Sequence, residues 1–242
     1  MRTRIKGVLF DKDGTLIDFT ASWRGLVDAL IADYAPDDEP LANAIGAAIG
    51  YDRATGLFLP GSPIVSDTTD VVADIMASLL PGRTATEIED NANRRAAAAA
   101  EGGEGGVAPV DGLRPTLERL SAMGLALGIG THDSEAAARS QARGLGVDDL
   151  IGFYAGYDSG HGLKPGPGMP NAFSAANGLM AREVVMVGDS LHDLGAGRSA
   201  GCAASVAVLT GPATEAELTV EADVVLPSIA DLPDYLATDF PA

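Results

Sequence analysis

The sequence predicts an α/β fold, in which helices cover both faces of a parallel sheet and a helical segment is inserted after the first strand. Short apolar runs alternate with helical patterns through the second half of the chain, and this alternation is typical of parallel sheets. A first apolar run, residues 5–10, ends in the turn Asp11-Lys12-Asp13-Gly14-Thr15. Residues 18–108 show helical periodicity and no strand pattern, so we expect an all-helical insert there.

The composition favours a globular protein of a reducing compartment. The chain has 242 residues, enough to bury a sizeable core. Acidic residues outnumber basic ones by 34 to 16, which gives a formal net charge of −18 and argues against nucleic acid or anionic membranes as partners. The one cysteine, Cys202, excludes an internal disulfide, and we expect it in the core. Because no targeting or membrane-spanning segment is recognisable, we expect a cytoplasmic monomer or homodimer.

Three helices are predicted in the insert. Apolar residues recur every three or four positions in the first two: Trp23, Leu26, Val27, Leu30 and Ile31, then Val71, Val72, Ile75, Met76, Leu79 and Leu80. A third helix begins near Thr84 or Thr86 and continues through the alanine run 96–100. The glycine-rich segment 102–106 is the predicted linker back to the core.

The rest of the chain is predicted to alternate between strands and helices. The strands are residues 125–129, 150–154, 183–187, 203–209 and 223–226, and the helices are residues 113–120, 134–143, 170–177 and 191–200. In an open α/β sheet, ligands bind beyond the carboxyl ends of the strands. The residues that follow each predicted strand are therefore the candidate site residues.

Polar side chains follow four of these strands and should meet at one edge of the sheet. They are Asp11 and Asp13 after the first strand, Thr131 and His132 after the second, Lys164 in the loop beyond the third, and Asp189 and Asp193 after the fourth. An Asx-rich turn without further function would explain the Asp-x-Asp pair alone. It does not explain the groups at the other strand ends.

These groups suit phosphoryl transfer. Mg²⁺ between Asp11 and Asp189 would neutralise part of their charge and leave positions for water or a phosphate oxygen. Lys164 and the Thr131 hydroxyl would hold other phosphate oxygens. Asp11 would then attack phosphorus in line, and Asp13 would protonate the leaving oxygen and later activate water.

The motifs resemble those of the haloacid dehalogenase superfamily, and in particular its phosphoglycolate phosphatase-like members. The matching residues are Asp11-Lys12-Asp13-Gly14-Thr15-Leu16, Thr131, Lys164-Pro165, Gly188-Asp189 and Asp193. The resemblance implies a Rossmann-like, doubly wound parallel sheet as the core domain. We assign residues 1–17 and 109–242 to this core and residues 18–108 to a helical cap.

The resemblance also implies a reaction. It predicts a Mg²⁺-dependent phosphatase that hydrolyses a small phosphorylated metabolite through an aspartyl-phosphate on Asp11, with Asp13 as acid and base. Mg²⁺ would be held by the Asp11 carboxylate, the Asp13 backbone carbonyl and Asp189, with Asp193 in support. Three alternatives stay open: a phosphomutase of the same fold acting on a sugar phosphate, a dehalogenase, and a non-catalytic phosphate-binding regulatory module.

Substrate recognition is harder to predict. His132 stands where members close to phosphoglycolate phosphatase usually have Asn, so it either contacts substrate or packs beneath the cap. Arg53, in the polar loop 50–58 of the insert, is the candidate for recognising an acidic or polar leaving group, with a solvated surface position as the alternative. Trp23 and Arg24 are weaker candidates. We expect His161 and His192 to face solvent, and the three histidines lack the spacing of a zinc site.

Overall fold

A six-stranded parallel sheet forms the centre of the structure, a computed structural model that describes residues 4–59, 61–100 and 107–240. The described residues form eight strands, six in this sheet and two in a separate hairpin: β1 (Gly7–Phe10), β2 (Tyr51–Asp52), β3 (Leu57–Phe58), β4 (Ala126–Gly130), β5 (Phe153–Ala155), β6 (Val184–Gly188), β7 (Ala204–Val208) and β8 (Val224–Leu226). The large sheet has the order β5-β4-β1-β6-β7-β8. Each neighbouring pair in it is parallel, which confirms the predicted α/β class.

Helices cover this sheet and build the insert. They are α1 (Phe19–Tyr34), α2 (Glu39–Ile49), α3 (Pro63–Ser66), α4 (Thr69–Leu79), α5 (Ala85–Ala100), α6 (Leu113–Ala122), α7 (Glu135–Gly144), α8 (Gly168–Ala176), α9 (Leu191–Ala200), α10 (Glu215–Leu218) and α11 (Leu232–Asp239). Among the described residues, no helix combines the length and apolar character needed to cross a membrane.

Both faces of the central strand are buried, as a doubly wound sheet requires. Successive side chains of a strand point to opposite faces. Val8 and Phe10 therefore belong to one apolar cluster, with Leu117 of α6 and others. Leu9 belongs to the cluster on the other face, with Phe173 of α8. This two-sided burial places β1, and the turn that follows it, in the middle of the molecule.

The insert has an apolar core of its own, in which residues of α1, α2, α4 and α5 pack together. It also contains a short antiparallel hairpin, β2–β3, that helical periodicity did not reveal. Tyr51 and Phe58 pair across this hairpin and are buried in the insert core. The Asp52 carboxylate accepts hydrogen bonds from the backbone N–H groups of Ala54 and Thr55 and so stabilises the tight turn. The segment 50–58 is therefore a hairpin within a predominantly helical insert.

The two chain crossings between insert and core lie side by side. The Asp18 N–H donates to the Ala108 carbonyl at 2.9 Å, and the Ala108 N–H donates to Ser22 Oγ at 2.9 Å. The predicted linker 102–106 lies outside the described residues. The division of the chain at residues 17/18 and 108/109 stays a prediction.

Candidate active site

The carboxyl ends of β1, β4 and β6 and the loop after β5 bring the predicted polar residues to one place. Asp11, Asp13, Thr131, His132, Lys164, Asp189 and Asp193 all line one cavity of about 110 Å³ between this sheet edge and the insert. The parallel register explains the convergence, because β1 pairs with both β4 and β6. The predicted convergence of these seven side chains at one cavity is seen in the structure, and their roles in catalysis or metal binding stay predictions.

Three buried carboxylates form the floor of the cavity. Asp11, Asp189 and Asp193 each offer one oxygen, and these oxygens lie within 4.8 Å of one another. The Lys164 ammonium contacts Asp11 Oδ1 and Asp193 Oδ1, each at 2.6 Å. One ammonium thus faces three carboxylates, and the floor has an excess of negative charge.

Burial and this excess of negative charge shift the pKa values of Asp11, Asp189 and Lys164. Burial raises the pKa of Asp11 to about 7, although Lys164 opposes the shift. Burial, followed by the charges of Asp11 and Asp193, raises the pKa of Asp189 well above its usual value. Burial alone would lower the pKa of Lys164, but the two contacting carboxylates outweigh it and hold that pKa above its usual value.

The donor set fits a hard divalent cation such as Mg²⁺, because such ions prefer carboxylate and carbonyl oxygens. Two glycines keep the Asp189 carboxylate close to the β1 turn. A Cβ atom at Gly14 would lie 2.3 Å from Asp189 Oδ2, and one at Gly211 would lie 1.7 Å from it. Gly14 also has a φ of 79°, in the left-handed region that favours glycine. Larger residues at these positions would displace a candidate metal ligand.

Asp193 is fixed by both of its oxygens. It lies in the first turn of α9, where its Oδ2 accepts hydrogen bonds from Ser190 Oγ at 2.5 Å and from Ser190 N–H at 3.1 Å. Its Oδ1 contacts Lys164. Asp193 therefore holds the Lys164 ammonium beside Asp11. The supporting role predicted for Asp193 at a metal ion stays a prediction.

Asp13 has partners that the sequence analysis did not assign to the site. The Trp23 indole N–H donates to Asp13 Oδ1 at 2.8 Å, and the Lys12 ammonium contacts Asp13 Oδ2 at 2.6 Å. Lys12 is itself buried and also contacts Asp133 Oδ2 at 3.2 Å. Trp23 was a weak candidate because its spacing fits the apolar face of α1, yet its indole N–H reaches the Asp-x-Asp turn.

Thr131 and His132 support the neighbouring loops. Thr131 is buried, and its hydroxyl oxygen accepts a hydrogen bond from the Asp133 N–H at 3.0 Å. His132 Nε2 accepts a hydrogen bond from the backbone N–H of Lys164 at 3.1 Å. A substrate contact by His132 stays a prediction. Its ring lies 5.7 Å from that of His192, which was predicted to face solvent and is instead partly buried where it lines the cavity.

The structure places Arg53 and Cys202 differently from the predictions, whereas His161 lies at the surface as predicted. Arg53 does not line the cavity among the described residues. Its guanidinium donates instead to Glu39 Oε1 and Asn43 Oδ1 of α2, each at 2.9 Å, and forms an ion pair with Glu39. Cys202 is only partly buried at the edge of a core cluster, and burial raises the pKa of its thiol to about 12. His161 is exposed, as expected.

Comparisons with known proteins show the family to which the chain is similar. Residues 5–201 match the family of haloacid dehalogenase-like hydrolases. The chain is 32% identical to a phosphoglycolate phosphatase of Rhodospirillum rubrum, over 96% of this chain and 90% of that protein. It is 30% identical to one of Yersinia pestis, over 94% and 91% of the two chains. The crystal structure of a predicted phosphoglycolate phosphatase from Haemophilus somnus 129pt has a TM-score of 0.75 at 20% identity, covering 97% of this chain and 99% of that one.

Proposed function

This chain belongs to the haloacid dehalogenase-like hydrolase family, and we propose that it is a Mg²⁺-dependent phosphatase of small organic phosphomonoesters. The observation that carries the proposal is the placement of Asp11 and Asp13 on one turn, facing a cavity shared with Lys164, Asp189 and Asp193. Phosphoglycolate is the first compound to test, because the similar proteins from Rhodospirillum rubrum and Yersinia pestis carry its name.

In this proposal the carboxylates of Asp11 and Asp189 and the backbone carbonyl of Asp13 would hold Mg²⁺, with Asp193 in support. The support is the clustering of three carboxylate oxygens within 4.8 Å. When bound, the ion would neutralise negative charge on the phosphate and on the floor of the cavity. The Lys164 ammonium adds a fixed positive charge at the same place.

Two carboxylates have separate roles in the proposed reaction, Asp11 as the nucleophile and Asp13 as the acid and base. An oxygen of Asp11 forms a bond to phosphorus while the bond between phosphorus and the organic oxygen breaks, and Asp13, as the general acid, gives a proton to that oxygen. Asp13 then takes a proton from water, whose oxygen attacks phosphorus as the bond to Asp11 breaks. Lys164 orients Asp11, and Trp23 and Lys12 orient Asp13.

The variant Asp11→Asn tests the nucleophile. Phosphate release from p-nitrophenyl phosphate should fall by about a thousandfold or more, because an amide oxygen is a poor nucleophile and the reaction has no other route. Asp13→Asn should lower the rate by about 10²–10⁴-fold. The matched control is Asp37→Asn, which alters an exposed carboxylate outside the cavity and should keep the wild-type rate. Circular dichroism and thermal unfolding would verify that each variant is folded.

Near wild-type turnover by Asp11→Asn would contradict the mechanism. Removal of metal with EDTA should abolish activity and added Mg²⁺ should restore it, whereas full activity after chelation would contradict the metal proposal. The reaction products distinguish the alternative functions. A phosphomutase would convert a sugar 1-phosphate to its isomer without releasing phosphate, and a regulatory module would bind phosphate and hydrolyse none of the compounds.

A further inference from the structure

We infer that the organic group of the substrate is uncharged and apolar. This inference rests on the proposed function and narrows its substrate class. The carboxylates and Lys164 form the core side of the cavity, and the insert supplies the opposite side. There the cavity is bounded mainly by apolar side chains, among them Phe19, Val27 and Leu30 of α1 and Val72 of α4. The leaving group of a phosphate held at Asp11 would meet these side chains.

Among the described residues that line the cavity, the insert contributes no lysine or arginine to pair with an anionic leaving group. Lys164 is the one lysine or arginine among the described residues that line the cavity, and it is held by Asp11 and Asp193 at 2.6 Å. The charged residue that the insert contributes is Asp67, which would repel a carboxylate. Arg53, the residue that could have supplied a positive charge, is held by Glu39 and Asn43 on α2.

The two histidines of the cavity do not supply that charge from the insert. His132 and His192 follow β4 and β6 and therefore belong to the core side. His132 Nε2 accepts a hydrogen bond from the Lys164 backbone N–H at 3.1 Å, so this nitrogen is directed toward the loop of the core and away from α1. A carboxylate placed against α1 would lose its hydration without gaining a cation, which is strongly unfavourable. An alkyl or aryl group would instead gain from burial.

Two esters of nearly identical shape test this inference. Isobutyl phosphate and phosphoglycolate share the phosphate and the adjoining CH₂ group, and they differ in carrying an isopropyl group or a carboxylate. With Mg²⁺ present, the wild-type kcat/KM for isobutyl phosphate should exceed that for phosphoglycolate by about tenfold or more, the effect of one unpaired buried charge.

Binding can be measured without turnover, because the chain has one tryptophan, Trp23, and it lines the cavity. The stable analogues 3-methylbutylphosphonate and 3-phosphonopropionate differ in the same way as the two esters. Titrations followed by Trp23 fluorescence should give a Kd about tenfold or more lower for 3-methylbutylphosphonate.

A substitution on the insert side should reverse the preference. Val65 is half-buried in α3 and lines the cavity. Val65→Lys should lower the Kd of 3-phosphonopropionate and raise that of 3-methylbutylphosphonate, because it places an ammonium near the leaving group. The matched control Val65→Met has a side chain of similar reach without charge and should keep the wild-type preference.

The outcomes separate this inference from the proposed function. Equal or better use of phosphoglycolate, tighter binding of 3-phosphonopropionate, or no fluorescence response to 3-methylbutylphosphonate would each overturn the inference and leave the phosphatase proposal standing. If the wild type released phosphate from neither ester nor from p-nitrophenyl phosphate, the phosphatase proposal would fail. The phosphonate titrations would still decide whether the cavity prefers an apolar group.

Discussion

At the level of single residues, the burial of Lys12 is a feature that the Asp11-Lys12-Asp13 motif did not predict. The sequence Asp11-Lys12-Asp13 predicted the roles of its two carboxylates, but the middle residue gave no hint of burial. Lys12 turns inward and contacts Asp13 and Asp133. Burial opposes the charge of Lys12, yet the two carboxylates outweigh it and raise its pKa, so the side chain is an ammonium ion. Asp133 follows a different strand, and sequence spacing cannot reveal such a partner.

Replacing Lys12 should therefore destabilise the fold. Lys12→Met leaves Asp13 and Asp133 as neighbouring carboxylates without their cation, and we expect a loss of about 3–5 kcal/mol in the free energy of unfolding. The double variant Lys12→Met/Asp133→Asn removes one of those charges and should recover part of the loss. Urea unfolding followed by circular dichroism measures both.

Lys6→Met is the matched control for this pair of variants. The Lys6 side chain is half-exposed, so its ion pair with Glu183 should contribute about 0–1 kcal/mol. A loss in Lys12→Met no larger than that in Lys6→Met would contradict the structural role of Lys12. It would also remove the reason for assigning Lys12 to the positioning of Asp13.

At the level of elements, the sequence predicted the strands that are continuously apolar, and it did not predict elements with a weak apolar pattern. Apolar runs identified the six strands of the sheet, because parallel strands buried on both faces are continuously apolar. Helix α2 was missed because two of its four buried residues, Ala42 and Gly46, are small, which leaves only Ile45 and Ile49 as large apolar residues on its buried side. The β2–β3 hairpin was missed because each of its strands has only two residues. Its stability comes from burial of Tyr51 and Phe58 in the insert core, which a local pattern does not show.

A hydrogen bond between α5 of the insert and the core should help to hold the two together. The Tyr157 hydroxyl donates to Glu89 Oε1 at 2.6 Å. Burial, reinforced by the Glu89 carboxylate, raises the pKa of Tyr157, so the hydroxyl keeps its proton at neutral pH. Tyr157→Phe removes this bond, which is worth about 1 kcal/mol. We expect faster amide hydrogen exchange in α5 and a several-fold higher KM.

Tyr34→Phe is the control for Tyr157→Phe. The Tyr34 hydroxyl accepts a hydrogen bond from Asn91 Nδ2 within the insert, at 3.3 Å, and in the part of the chain that the structure describes it has no hydrogen bond to the core. It should leave the KM near the wild-type value. If Tyr157→Phe changed neither the exchange of α5 nor the KM, the bond to Glu89 would have no part in holding the insert over the site.

At the level of the whole molecule, topology was enough to predict that the candidate site residues converge, but not what faces them across the cavity. The carboxyl ends of parallel strands share one edge of a sheet, so residues such as Asp11 and Asp189 had to converge. The side of the cavity opposite these carboxylates depends on how α1 lies across that edge of the sheet. The helical periodicity of Val27 and Leu30 indicates only that these residues are buried. Apolar side chains that were predicted to fill the insert core also line the cavity.

The overall charge should oppose the approach of an anionic substrate. The chain carries a formal net charge of −18, and a phosphomonoester is itself an anion. At about 0.01 M ionic strength such repulsion extends about 30 Å, and at about 0.1 M only about 10 Å. With Mg²⁺ saturating throughout, kcat/KM for p-nitrophenyl phosphate should therefore rise a few-fold between these conditions. Sucrose at the same osmolality carries no charge and should have no such effect. A fall in kcat/KM with salt would show instead that the positive charge at Lys164 and the bound Mg²⁺ dominates the approach of substrate.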